Sequence, residues 1–169
     1  MITRILLALD GSPRAPGVFD AAAEIAARFG ATLLPFRALF VAPEFPAAAA
    51  GSESDALPDY LTKGALDELV RITGRPAPPG IRIEAPVVRF GSPWRLIIEM
   101  SEELDVDLIV LGSHGYHGLD RILGTTAASV ANHAHRHVFV VHDRTERLVP
   151  HDGGSSPYRV TGSRPGPAG

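Results

Sequence analysis

Residues suited to ligand chemistry occur at two places, each directly after an apolar run. Asp10 follows Ile5–Leu9, and the glycine-rich segment Gly112–Gly118 follows Leu108–Leu111. Glycine lets a ligand approach the backbone closely, and the free N–H groups of a helix beginning near Thr125 can bind an anion. A carboxylate such as that of Asp10 accepts hydrogen bonds from a ribose hydroxyl or an adenine amino group. These residues favour a nucleotide site, and a plain strand-to-helix turn with incidental glycines is an equally open interpretation.

The most familiar nucleotide-binding motifs are absent from the sequence. No Gly-x-Gly-x-x-Gly follows the first apolar run, and no Gly-x-x-x-x-Gly-Lys-Ser/Thr occurs anywhere. Lys63 is the only lysine in the chain. A P-loop NTPase is therefore excluded, because that class needs its lysine on the nucleotide phosphates.

Composition narrows the remaining classes of function. Lys and Arg total 16 and Asp and Glu total 19, so the formal net charge is −3, which argues against a nucleic-acid backbone as partner. The chain has no cysteine, which excludes disulfides, thiol nucleophiles, zinc–thiolate sites and iron–sulfur clusters. No apolar run reaches about 18 residues, so we expect no membrane-spanning helix. The apolar opening is too short for a signal peptide, and we expect a cytoplasmic protein.

Strand and helix patterns alternate along the chain, which predicts a parallel sheet with helices on both faces. Helices are predicted from about Val18 to Phe29, from Pro58 to Thr73, after Ser92-Pro93, and near Thr125–Ala134. Pro35 lies inside the second strand and indicates a strand start, an edge or a bulge. The five predicted strands are Ile5–Leu9, Thr32–Val41, Ile81–Phe90, Leu108–Leu111 and Val138–Val141.

The last 27 residues differ from the rest. Gly, Pro and Ser supply 12 of the residues from 143 to 169, and no hydrophobic period is visible there. We therefore predict one domain over residues 1–142 and a disordered tail over 143–169.

Several segments together resemble the universal stress protein family, over residues 1–142. The resemblance includes the opening strand with its aspartate, a Gly-x-Pro turn, the glycine-rich segment after the fourth strand, and the last strand. The matching segments are Ile5–Ser12, Phe90–Pro93, Asp107–Gly115, Gly118–Arg121, Gly124–Val130, His133-Ala134 and Val138–Val141.

The resemblance implies a doubly wound, Rossmann-like α/β fold whose five strands are ordered 3-2-1-4-5. In such a sheet Asp10 and Gly112 would flank one cleft, where the strand order reverses. The resemblance also implies adenosine contacts, ribose and phosphate contacts, and a phosphate-tail site. The residues implied are Ala8, Leu9, Asp10 and Ala38 for adenosine, Leu111, Gly112, His114 and Gly115 for ribose and phosphates, and Gly124, Thr125 and Thr126 for the phosphate tail.

The ATP-binding branch of this family carries Gly-x2-Gly-x9-Gly-Ser/Thr. Gly112 and Gly115 match its beginning, but only eight residues separate Gly115 from Gly124. The resemblance therefore implies ATP or another adenine nucleotide as ligand, with Mg²⁺ as an optional companion of the phosphates. It also implies a homodimer through the fifth strand, whose apolar edge would otherwise be exposed.

Three functions follow from this resemblance. The first is a non-enzymatic, ATP-binding stress-response module whose ligand regulates its interactions. The second is a slow ATPase or phosphotransferase, which the few charged candidates disfavour. The third is a nucleotide-free scaffold of the same fold, which the short spacer favours. His133, His135 and His137 alternate, but they fall where a helix runs into a strand, so we interpret them as surface residues rather than metal ligands.

Overall fold

A computed structural model describes residues 1–40, 56–113 and 125–142, with the backbone alone at 56–58. The segment from His114 to Gly124 and the predicted tail over 143–169 lie outside the described residues. Four helices and six strands make up the described part. They are β1 (Arg4–Ala8), α1 (Ala15–Phe29), β2 (Thr32–Leu39), α2 (Ala56–Thr73), β3 (Arg82–Ile83), β4 (Val87–Phe90), α3 (Pro93–Glu103), β5 (Leu108–Gly112), α4 (Thr125–His133) and β6 (His137–Val141).

All strand pairs are parallel, and the order across the sheet is β3-β2-β1-β5-β6, with β4 also paired to β2. The predicted α/β class and strand order are therefore confirmed. The predicted strand count was wrong, because the third strand, Ile81–Phe90, is divided into β3 and β4.

Two prolines explain this division. Leu33 pairs with Ile83 and Phe36 with Val87, so two residues of β2 face three residues of its neighbour, which is a bulge. The carbonyls of Leu33 and Leu39 accept hydrogen bonds from Glu84 and Gly91, both at 2.9 Å. The backbone N–H and C=O groups of alternate residues in a strand point toward the same neighbouring strand. The backbone of Pro35 therefore faces β3 and β4, where it has no N–H to donate. Pro86, beside the break, also has no N–H.

The core consists of two apolar clusters, one on each face of the sheet. Ile5 and Leu7 of β1 contact the cluster under α1 and α2, whereas Leu6 and Ala8 contact the cluster under α3 and α4. Because both faces are covered, β1 is apolar and buried from Ile5 to Ala8 instead of alternating. None of the described helices is long and apolar enough to cross a membrane.

Helix boundaries follow local sequence signals. Pro93 begins α3 directly after Ser92, which is extended, and proline is tolerated there because the first N–H of a helix has no partner within it. Gly30 ends α1 with φ of 65°, a left-handed conformation that favours glycine. Helix α2 begins at Ala56, two residues before the predicted start at Pro58.

Asp107 holds together the amino-terminal ends of β1 and β5. One of its carboxylate oxygens accepts hydrogen bonds from the Thr3 N–H at 2.7 Å, the Thr3 hydroxyl at 2.9 Å and the Arg4 N–H at 3.0 Å. These bonds favour the charged carboxylate and lower the pKa of Asp107 below its ordinary value. Its stabilising effect is therefore complete above the unfolded pKa, near 3.9, and is lost as the pH falls through the lower folded pKa.

We expect Asp107→Asn to lower the free energy of unfolding at pH 7 by about 1–2 kcal/mol, because the two N–H groups lose a charged acceptor. Urea unfolding at pH 7 and again near pH 3 measures this, and the difference between the two proteins should shrink at the lower pH. Asp67→Asn, at an exposed position of α2, is the matched control. An equal effect of both substitutions would contradict the role of Asp107.

Candidate functional site

The site lies where the strand order reverses, between β1 and β5. The chain leaves β1 for α1, on one face of the sheet, whereas α4, which follows β5, covers the opposite face. Ala8 of β1 pairs with Leu111 of β5, so the carboxyl ends of the two strands lie side by side. Ligands of open parallel sheets bind in the crevice beyond such ends.

A cavity of about 420 Å³ occupies this crevice. Its volume falls within the range of about 300–1,000 Å³ that is typical of small-molecule sites. Most of the lining is apolar, and among the described lining residues Asp10 is the only carboxylate and Arg37 the only cation. The lining residues are Ala8, Leu9, Asp10, Gly11, Val18, Phe36, Arg37, Ala38, Leu39, Phe40, Pro93, Ile97, Leu111, Gly112, Ser113, Thr126 and Ala127.

The structure brings together seven of the residues singled out from the sequence. The seven that line the cavity are Ala8, Leu9, Asp10, Ala38, Leu111, Gly112 and Thr126. Thr125 is exposed at the first position of α4 and does not line the cavity. His114, Gly115 and Gly124 lie outside the described residues.

Small residues create the space of the cavity. Ala8 and Ala38 end their side chains at Cβ, beside the larger Phe36. A Cβ added at Gly112 would lie only 3.3 Å from Cγ2 of Val18. Glycine at the end of β5 therefore lets α1 approach the strand closely, which keeps the crevice narrow.

Asp10 is oriented by the turn between β1 and α1. Its Oδ1 accepts a hydrogen bond from the Ser12 N–H at 3.1 Å, and the Ser12 hydroxyl oxygen accepts one from the Arg14 N–H at 3.3 Å. The Ala15 N–H donates to the Ser12 carbonyl at 3.1 Å, where α1 begins. An aspartate that accepts a hydrogen bond two residues ahead closes a local turn, so the Asp10 carboxylate is exposed but held at the crevice.

Arg37 is the charged residue of the site that our sequence analysis missed. It lies in β2, its side chain is only 16% exposed, and its Nη1 donates a short hydrogen bond to Oε2 of Glu68 on α2. The available signal in the sequence was an arginine between apolar residues of a predicted strand. Such an arginine needs a partner, because arginine is rarely buried without one. The partner is distant in sequence, so periodicity alone could not identify it.

A second, wider groove of about 820 Å³ adjoins the first cavity, between α1 and β6. The two share Asp10, Val18, Gly112 and Ser113 as lining residues. Phe139 of β6 lines the second groove and is 45% exposed. Asp10 therefore lies on the wall that the two spaces have in common.

The histidines near the end of α4 do not form a metal centre among the described residues, where no group of three or more potential ligands converges. Nδ1 of His133 lies 2.8 Å from the Ser129 carbonyl, a position in which a histidine satisfies a late carbonyl of a helix. The His133 ring also contacts Trp94, with 5.2 Å between ring centroids.

The order of the strands and the cavity at their reversal define a doubly wound, Rossmann-like α/β domain with a small-molecule crevice. The sequence profile of the universal stress protein family matches residues 1–142. The chain belongs to this family, and the profile match ends where the predicted tail begins.

Individual relatives agree with this assignment. Universal stress protein A homolog 1 of Coxiella burnetii is 36% identical over 133 residues, which cover 75% of this chain and 86% of the relative. The structure of universal stress protein UspA from Lactobacillus plantarum matches with a TM-score of 0.65 and 26% identity, covering 83% of this chain and 97% of that one. A universal stress protein in complex with cAMP matches with a TM-score of 0.57 and 27% identity, with the same coverage of 83% and 97%.

Proposed function

We propose that this protein is a nucleotide-binding module of the stress response that binds an adenine nucleotide, ATP, in the cavity between β1 and β5. The observation that carries the proposal is the convergence of Asp10 with an apolar, nucleotide-sized space at the point of strand reversal. The structurally similar family member in complex with cAMP supports an adenine nucleotide as the class of ligand. The preference for ATP rests on the resemblance of the Gly112–Thr126 segment to the ATP-binding branch.

Each part of the cavity suits one part of the ligand. Phe36, Ala38 and Ile97 offer an apolar wall for the adenine base. Asp10 is an acceptor for the ribose hydroxyls. Thr126 lies in the first turn of α4, where free N–H groups and the helix dipole favour phosphate oxygens.

The charged groups of the site favour binding over catalysis. Phosphoryl transfer relies on lysine, arginine or carboxylate-held metal ions to stabilise the transferred group. The described lining supplies one arginine, which is paired with Glu68, and one carboxylate. We therefore propose a regulatory role, in which the nucleotide shifts the protein toward the conformation that binds it more tightly and so changes its affinity for partners.

Replacement of Asp10 by asparagine tests the assignment of the site. We expect Asp10→Asn to weaken ATP binding about tenfold, because a charged acceptor for the ribose hydroxyls is lost. Isothermal titration of the full chain measures the dissociation constant, and Asp67→Asn serves as the control at an exposed position of α2. Failure of the unmodified protein to bind ATP at millimolar concentration would refute the proposal and favour a nucleotide-free scaffold.

A single-turnover assay with ATP and Mg²⁺ separates binding from hydrolysis. We expect ATP to be recovered intact. Hydrolysis that disappears in both Asp10→Ala and Thr126→Ala would instead identify a slow ATPase, and hydrolysis that persists in both would indicate a contaminant.

We also propose that the chain forms a homodimer through β6. This strand ends the order β3-β2-β1-β5-β6, and its Phe139 side chain is 45% exposed. An uncovered edge strand with apolar side chains readily pairs with another chain. A second copy of this protein would cover Phe139 and the outer backbone edge of β6, which pairs with no other strand of the described part of the chain.

Sedimentation tests the homodimer. We expect Phe139→Lys to raise the dimer dissociation constant by about tenfold or more, because a charge would replace apolar contact area. Tyr60→Lys is the control, since Tyr60 is an aromatic residue that is 75% exposed on α2. A monomeric unmodified protein at micromolar concentration would refute the homodimer.

A further inference from the structure

Arg37 connects helix α2 to the turn that carries Asp10. The connection begins at Glu68 of α2, which is 30% exposed and forms an ion pair with Nη1 of Arg37. Because the Arg37 side chain is only 16% exposed, its guanidinium needs such a partner to offset the cost of leaving water. The ion pair therefore determines where the guanidinium lies.

The other side of the same guanidinium contacts Gly11. A Cβ added to Gly11 would lie 2.3 Å from Nη2 and 3.2 Å from Cζ of Arg37. The guanidinium thus occupies the space that a side chain at position 11 would need. Gly11 directly follows Asp10, and the hydrogen bond from the Ser12 N–H to Asp10 closes the turn around it. Movement of the guanidinium would therefore leave this turn without support on that side.

We propose that Arg37 is a positioning residue of the nucleotide site, which holds the Asp10–Gly11 turn so that the Asp10 carboxylate meets the ribose hydroxyls. This inference rests on the proposed function. Arg37 acts through the turn and not as a phosphate ligand, because Glu68 compensates its charge. Helix α2 thereby contributes to hydroxyl recognition, although Glu68 does not line the cavity.

Two ligands that differ only in the hydroxyls isolate this role. ATP and 2′,3′-dideoxy-ATP carry the same base and phosphates, so the ratio of their dissociation constants measures recognition of the ribose hydroxyls. We expect the unmodified protein to prefer ATP by about tenfold, the contribution of hydrogen bonds to a charged acceptor. Arg37→Met should lower this preference to below about threefold, with the dissociation constant for dideoxy-ATP unchanged within about twofold.

Further variants separate positioning from a general structural effect. Glu68→Gln should lower the preference in the same direction, and adding it to Arg37→Met should have no further effect, because the two residues act as one pair. Arg37→Lys keeps the charge without the planar fork and should restore only part of the preference. Arg71→Met is the matched control, since Arg71 also lies on α2, 4.0 Å from Glu68, but is 71% exposed and does not line the cavity. Urea unfolding of each variant without ligand confirms that it is folded.

The outcomes distinguish this inference from the proposed function. Equal weakening of ATP and dideoxy-ATP in Arg37→Met would overturn the positioning role and leave nucleotide binding intact. An unmodified protein that binds ATP and dideoxy-ATP equally would also overturn the positioning role and leave nucleotide binding intact. An unmodified protein that binds neither would overturn both proposals. If Arg37→Met does not fold, Glu68→Gln and Arg37→Lys decide by the same ratio.

Discussion

Two helices that leave neighbouring strands of a parallel sheet for opposite faces leave a crevice between the ends of those strands, and this constraint determines where the cavity of the present protein lies. Helix α1 follows β1 onto one face, and α4 follows β5 onto the other, while Ala8 and Leu111 keep the two strands paired. The crevice is thus a consequence of the reversal in strand order and of the handedness of the crossover connections. The crevice forms whatever residues line it, and the lining residues determine which ligands would fit it.

The lining combines an apolar wall with two charged groups that are each held by a neighbour. Asp10 accepts the Ser12 N–H within its own turn, whereas Arg37 pairs with Glu68 on α2. Removing a charge from water costs free energy unless the charge is paired or hydrogen-bonded. Each of the two groups therefore stays beside its partner, which keeps it in place. The oriented carboxylate and the largely buried guanidinium therefore depend on different parts of the molecule, one local and one distant.

Sequence analysis predicted those features of fold and site that depend on near neighbours along the chain. Three of these features depend only on the local chain. They are the apolar run at β1, the proline that begins α3 and the glycine that ends α1. The interruption between β3 and β4 was missed, since it requires knowledge that Pro35 faces this particular neighbour. Pro35 by itself indicated only a start, an edge or a bulge.

Taken alone, the sequence determined the alternation of strands and helices, and its family resemblance implied their order and seven of the residues that line the cavity. Only the tertiary structure decided that Arg37 joins Gly11 to Glu68, 31 positions further along the chain. The physical reason is that hydrophobic period and capping act over a few residues, whereas an ion pair between a strand and a helix forms only after both have packed. Arg37 is a charged residue in a mostly apolar strand, and only the packing of α2 beside β2 shows which residue it pairs with.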